Sequence, residues 1–194
     1  MDNKVKTILV EDDKDFAFLI RKMITQDPRL EYLGHATNKA VGVEMAHMLQ
    51  PDIVVMDLNL SGKALDGIEA AKEIRLTTGA KILLLTSYEQ PDVIITASKR
   101  AFASGYVFKS QCQNLTDIIY ETATSNTPQE GMIKELLLKE LSPAERSILT
   151  DMLEANADKL SLSSAKTVAN QKTSIFRKLG FKNTRELISV FKNW

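Results

Sequence analysis

Four hydrophobic runs in the first 109 residues stop on polar side chains able to handle phosphate. Thr7-Ile8-Leu9-Val10 runs into Glu11-Asp12-Asp13, and Ile53-Val54-Val55-Met56 ends on Asp57. Ile82-Leu83-Leu84-Leu85 ends on Thr86, and Tyr106-Val107-Phe108 ends on Lys109. If each run is a strand of one parallel sheet, these ends share one edge, which is where open α/β folds bind ligands. Carboxylates, a hydroxyl and an ammonium then converge on one point. That set suits a divalent cation, which takes oxygen ligands, together with a phosphoryl group, whose oxygens pair with an ammonium.

The rest of the chain must position them. Apolar runs predict strands near 5–10, 31–35, 53–57, 81–86 and 105–108. Helical patterns fall between them near 14–26, 38–49, 66–77 and 90–103, with a fifth near 114–124. Residues 53–56 and 82–85 are apolar consecutively, as in strands covered on both faces. Parallel strands need crossover helices, so the fold class is α/β with a doubly wound five-stranded parallel sheet. Thr124 to Gly131 is polar and contains Pro128, which places a linker at 125–133 between domains at 1–124 and 134–194. The second domain reads as helices only. Ser142-Pro143-Ala144-Glu145 starts one helix, a second runs from about Ser164 to Leu179 and stops at Gly180, and a last covers about 183–193.

With 194 residues, 44% of them hydrophobic, the chain has enough apolar material for two small cores. Its zero net charge is unevenly spread. Residues 1–133 hold 14 Lys/Arg against 18 Asp/Glu, and residues 134–194 hold 11 against 7. An acidic front and a basic rear imply two jobs, the second on an anionic partner. Cys112 is the single cysteine, which excludes an internal disulfide or a cysteine metal cluster and fits a reducing cytoplasm. The start, Met1-Asp2-Asn3-Lys4, does not read as a signal peptide, and no apolar stretch reaches membrane-spanning length. His35 and His47 are isolated in sequence and receive no role.

The acidic pair Glu11-Asp12 with Asp57, Thr86 and Lys109, in that order and near that spacing, resembles the receiver domain of bacterial two-component response regulators over residues 4–124. The resemblance implies a CheY-like, flavodoxin-like receiver with Asp57 as phosphoacceptor and a bound Mg²⁺. Glu11, Asp12, Asp57 and the backbone carbonyl of Asn59 would hold the ion. Lys109 would pair with Asp57 and then with the phosphoryl group. Thr86 would donate its hydroxyl to a phosphoryl oxygen, and Tyr106 would swing inward behind it as the switch. A sensor histidine kinase is the implied donor, and a homodimer the implied product of phosphorylation. Activity would be limited to taking the phosphoryl group and later hydrolysing it. The segment Asn59 to Gly67 is about two residues longer than the family's usual loop and lacks its Pro-Gly, and Ser110 stands where proline is common.

Residues 141–190 resemble the helix-turn-helix output domain of the LuxR/NarL/FixJ class. The matching segments are Leu141 to Arg146, Lys166 to Gln171, Arg177-Lys178-Leu179-Gly180 and Asn183 to Leu187. The resemblance implies DNA as a partner and transcription regulation as the output. Lys166, Lys172, Arg177, Lys178 and Arg185 are expected on phosphates. Ala169, Asn170 and Thr173 are expected toward bases, Gln171 toward either, with Thr167 at the start of the recognition helix. Between Leu153 and Lys166 this chain is about four residues shorter than the family pattern. That shortening keeps open a second reading: a phosphorylation-controlled interaction protein whose rear domain contacts another protein instead of DNA.

Overall fold

Every predicted strand forms, and all five join one parallel sheet. They are β1 (Val5–Val10), β2 (Leu30–Ala36), β3 (Ile53–Asp57), β4 (Lys81–Thr86) and β5 (Gly105–Phe108), ordered β2-β1-β3-β4-β5. The structure is a computed structural model describing residues 4–60, 66–154, 165–192 and 194, without the side chains of 165 and 166. The helices that connect and follow the strands are α1 (Lys14–Gln26), α2 (Lys39–Leu49), α3 (Asp66–Thr78), α4 (Pro91–Ala101) and α5 (Leu115–Thr124).

Consecutive apolar residues in the central strands are explained by two buried faces. Leu9, Ile53, Val55, Leu83 and Leu85 join Ala17, Ile20 and Ile24 of α1 and Leu115 and Ile119 of α5 in one core. The alternate residues Ile8, Val10, Val54, Met56, Ile82 and Leu84 are equally buried on the opposite face, since side chains alternate along a strand. Helices α2, α3 and α4 pack in sequence with one another.

The chain divides into two units, Met1–Ile133 and Lys134–Trp194. The linker expected at 125–133 needs correction: Pro128–Leu138 is a helix, α6. Its first turn belongs to the first unit. Thr127 Oγ1 accepts from the amide of Glu130 at 3.2 Å, capping the helix. The amide of Tyr106 donates to Gln129 Oε1 at 2.9 Å, and Lys81 Nζ pairs with Glu130 at 3.0 Å. The polarity that suggests a linker is therefore partnered, and Glu130 is buried.

The second unit holds α7 (Pro143–Leu153), α8 (Ala165–Leu179) and α9 (Thr184–Phe191). Ser142 and Glu145 form the reciprocal capping box expected at the start of α7. Gly180 takes φ 78°, the left-handed turn that ends α8. Ile148, Leu149, Met152, Val168, Ile175, Leu179, Leu187 and Val190 are among the buried residues of this unit. Phe191 packs edge-on against both Phe181 and Trp194. The shortened segment noted between Leu153 and Lys166 falls mostly on 155–164, outside the described residues, as do 61–65 of the long loop after Asn59.

Candidate functional site

The sheet order reverses direction at β1 and β3, which are neighbours with Val10 opposite Met56. The next residues, Glu11 and Asp57, are thereby brought side by side at the carboxyl ends of the strands. One carboxylate oxygen from each of Glu11, Asp12 and Asp57 lies within 4.8 Å of the other two. Asp13, the third acid of the run, does a different job: its Oδ1 accepts from the amides of Asp15 and Phe16 and caps α1.

Lys109, one residue past β5, reaches into this cluster. Its ammonium lies 2.7 Å from Glu11 Oε2 and 3.0 Å from Asp57 Oδ2, and 4.8 Å from the centre of the Phe16 ring. Burial raises the Glu11 carboxyl above its ordinary value; the Lys109 hydrogen bond opposes this and the Asp57 charge adds to it. Burial pulls the Lys109 ammonium down, but the hydrogen bond to Glu11 and the charge and hydrogen bond of Asp57 outweigh it, so the net direction is up. Lys109 is thus a fixed cation among three acids. One ammonium leaves excess negative charge on an all-oxygen donor set, which fits a hard divalent cation such as Mg²⁺.

The surrounding loops are tied to one another. The amide of Asn59 donates to Asp57 Oδ1 at 3.2 Å, and Tyr88 Oη donates to Asn59 Oδ1 at 3.2 Å. Thr86 is buried, and its hydroxyl oxygen accepts from the Tyr88 amide at 2.9 Å. Tyr106 is half-buried, its ring tilted by 57° against that of Phe108 with centres 5.7 Å apart. Tyr106 lies opposite Leu84, two residues before Thr86 on β4, so Thr86 and Tyr106 occupy the same face of the sheet. The Lys109–Ser110 peptide bond is trans, and Ser110 Oγ donates to Glu89 at 3.0 Å.

Three contributors carry no mark in the sequence. Tyr88 links the loops carrying Asn59 and Thr86. Gly67 opens α3 against the main chain of Asp57, where a Cβ would overlap the Asp57 carbonyl oxygen. His35 Nε2 lies 2.7 Å from the carbonyl of Glu11. Nothing in the residue order announces the contacts of Tyr88 with Asn59 or of His35 with Glu11, because each joins segments distant in sequence.

In the second unit, Thr167, Ala169, Asn170, Thr173 and Arg177 are exposed on α8, opposite buried Val168, Ile175 and Leu179. Gln171 and Lys172 are half-exposed, Arg185 is exposed on α9, and the Lys166 side chain lies outside the described residues. Thr173 donates its hydroxyl to Ala169 O at 3.0 Å. Lys178 is also exposed on α8, and its ammonium is 2.7 Å from Glu145, which also accepts from Ser174 Oγ at 2.7 Å. It braces α7 against α8 from that exposed position.

That brace has a pH signature. The Lys178 hydrogen bond, with the Ser142 amide and Ser174 hydroxyl, lowers the Glu145 carboxyl from 4.5 to about 2. A depressed acid stabilises the fold above its unfolded value and loses that contribution as pH falls through the folded one. The second unit is therefore expected to weaken between about pH 4.5 and 2, and Glu145→Gln should be less stable at neutral pH with that dependence removed. Trp194 is the only tryptophan, so its fluorescence during urea unfolding reports this unit directly.

A five-stranded parallel sheet in the order 2-1-3-4-5, with acids at the β1/β3 reversal, is the architecture of response-regulator receivers. The profile of the response regulator receiver domain matches residues 7–120, and the chain belongs to that family. It is 28% identical to the transcriptional regulatory protein DesR of Bacillus subtilis (strain 168), over 98% of each chain. It is 37% identical to a protein-glutamate methylesterase/protein-glutamine glutaminase of Photobacterium profundum, but over only 44% of this chain and 21% of that enzyme. Among solved structures, the two-component response regulator RcsB in complex with DNA is 25% identical with a TM-score of 0.56, covering 98% of this chain and 99% of that one. The chain is thus a NarL/LuxR-type response regulator in its overall organisation. Among the described residues no helix is long and apolar enough to cross a membrane.

Proposed function

We propose that this protein accepts a phosphoryl group on Asp57 from a sensor histidine kinase and regulates transcription by binding DNA through α8. The observation that carries the reading is the convergence of Glu11, Asp12 and Asp57 with the Lys109 ammonium between two of them. Glu11, Asp12, Asp57 and the Asn59 carbonyl would hold Mg²⁺, which offsets the repulsion between an attacking carboxylate and an anionic donor. Asp57 Oδ1 rests on the Asn59 amide and Oδ2 on Lys109, so the nucleophile is held at both oxygens. A bond forms from an Asp57 oxygen to phosphorus as the donor's bond to phosphorus breaks.

Lys109 then follows the phosphoryl oxygens, and Thr86 turns its hydroxyl to one of them. Phosphorylation adds roughly −1.5 to −2 charges. Tyr106, on the same face as Thr86, moves into the space released. That rearrangement favours a homodimer, which presents two copies of Ala169, Asn170, Thr173 and Arg177 to two half-sites. Similarity to DesR along the whole chain supports the transcriptional output.

Mass spectrometry after treatment with a small phosphoryl donor and Mg²⁺ tests the first half: the wild type gains one phosphoryl group and Asp57→Asn gains none. Gel-shift of genomic fragments at low salt, with and without the donor, tests the second. DNA shifted more strongly by the phosphorylated protein supports the reading. A protein partner captured only by the phosphorylated form, with no DNA shifted in either state, would replace DNA by that partner as the target.

A further inference from the structure

His35 sits at the end of β2, in register with Leu9, and the next pair is Ala36 with Val10. There β2 stops, so the ladder between β1 and β2 runs out just as the chain enters the acidic turn. Glu11 is nevertheless held at both main-chain groups. Its N–H donates to Ala36 O at 2.9 Å. Its carbonyl lies 2.7 Å from His35 Nε2. A carbonyl oxygen only accepts, so Nε2 must carry the hydrogen. The imidazole supplies the donor that a continued strand would have offered from its main chain.

The carbonyl so held belongs to the peptide unit joining Glu11 to Asp12. That unit is planar, so fixing its oxygen also fixes the amide and Cα of Asp12. On one side of it stands the Glu11 carboxylate, engaged with Lys109. On the other stands Asp12, whose carboxylate is less buried and places one oxygen within 4.8 Å of the other two acids. We propose that His35 is a positioning residue for the ion site: its Nε2–H orients the Glu11–Asp12 peptide so that both carboxylates face Asp57. The role rests on the reading above that these three acids hold a divalent ion. His35 itself is not a ligand in this proposal, and its contribution passes through a main-chain atom.

The test uses the full chain with Mg²⁺ titrated by calorimetry and Mn²⁺ by electron paramagnetic resonance. His35→Ala should weaken ion affinity about tenfold, the low end for loss of an outer-sphere partner. His35→Gln places an amide N–H where Nε2 lies and should stay within about threefold of wild type. Long-range ¹H–¹⁵N spectra of the neutral ring should place the proton on Nε2. Urea unfolding of the same samples separates ion affinity from stability. Ion binding by His35→Ala equal to wild type overturns the proposal, whatever its unfolding midpoint. So does equal weakening of the Ala and Gln variants, or a proton on Nδ1. If the wild type takes up no ion, the reading of the acidic site falls and this role with it. If the wild type binds and both variants bind equally well, the site stands and the histidine loses its role.

Discussion

Gly67→Ala is expected to destabilise the first unit by on the order of 3 kcal/mol, the upper range for overpacking, and to block phosphorylation of Asp57 in the molecules that remain folded. The added Cβ would overlap the Asp57 carbonyl oxygen and come within 2.9 Å of the Asp57 carbonyl carbon and of Leu58 Cα. All three are main-chain atoms, so no side chain can rotate aside. Gly67 also donates its amide to Leu58 O at 3.1 Å, which draws the two segments together. Relief requires the start of α3 to withdraw from the end of β3, and Asp57 moves with it. Gly131→Ala serves as the control: nothing lies within 4 Å of its new Cβ, and α6 should gain up to about 1 kcal/mol of helix propensity. Urea unfolding by circular dichroism and phosphoryl uptake by mass spectrometry check both. A Gly67→Ala protein as stable and as reactive as wild type would contradict the close approach.

Strands and site acids are legible in the residue order because each leaves a one-dimensional mark. Ile53 to Met56 and Ile82 to Leu85 are apolar on consecutive residues, which only a doubly covered strand needs. A polar residue at the end of such a run must lie at the sheet's edge, so Asp57 and Thr86 are placed by their neighbours alone. Contacts that skip the local pattern leave no such mark. Gly67 is a helix-start glycine by sequence, and its tight approach to Asp57 exists only after the intervening loop closes. Lys178 belongs by composition to a basic stretch, yet Glu145, 33 residues earlier, claims it.

Arg75 of α3 is charged by sequence yet fully buried, its guanidinium donating to Gly79 O and Ala80 O. At the start of α6 a helix signal is present and outweighed. Thr127-Pro128-Gln129-Glu130 has the same form as Ser142-Pro143-Ala144-Glu145, the helix start of α7. Polar flanks and Gly131 suggest a linker instead. Polarity marks a linker only if water solvates it, and here protein groups do.

Lys81→Met should cost about 3 kcal/mol, because removing one partner leaves the other charge buried. Glu130 is 2% exposed at its side chain and Lys81 14%, with 3.0 Å between their charged atoms. Lys81 also donates to Ser125 O at 3.0 Å, so its loss frees the chain on both sides of Thr127. Glu130 serves a second cation as well. Burial lowers the Arg75 guanidinium to about 10 while the Glu130 charge works to raise it. Glu130→Gln should therefore cost at least as much as Lys81→Met, since two cations lose their anion. The double variant should recover only part of the loss, and the shortfall measures what Arg75 draws from Glu130. A second readout follows from Gln129, which accepts the Tyr106 amide at the free edge of β5. When the Glu130 anchor is lost, hydrogen exchange at the Tyr106 amide should accelerate ahead of global unfolding. Slow exchange there in a destabilised Glu130→Gln protein would mean that Gln129 holds the edge of β5 without help from the buried ion pair.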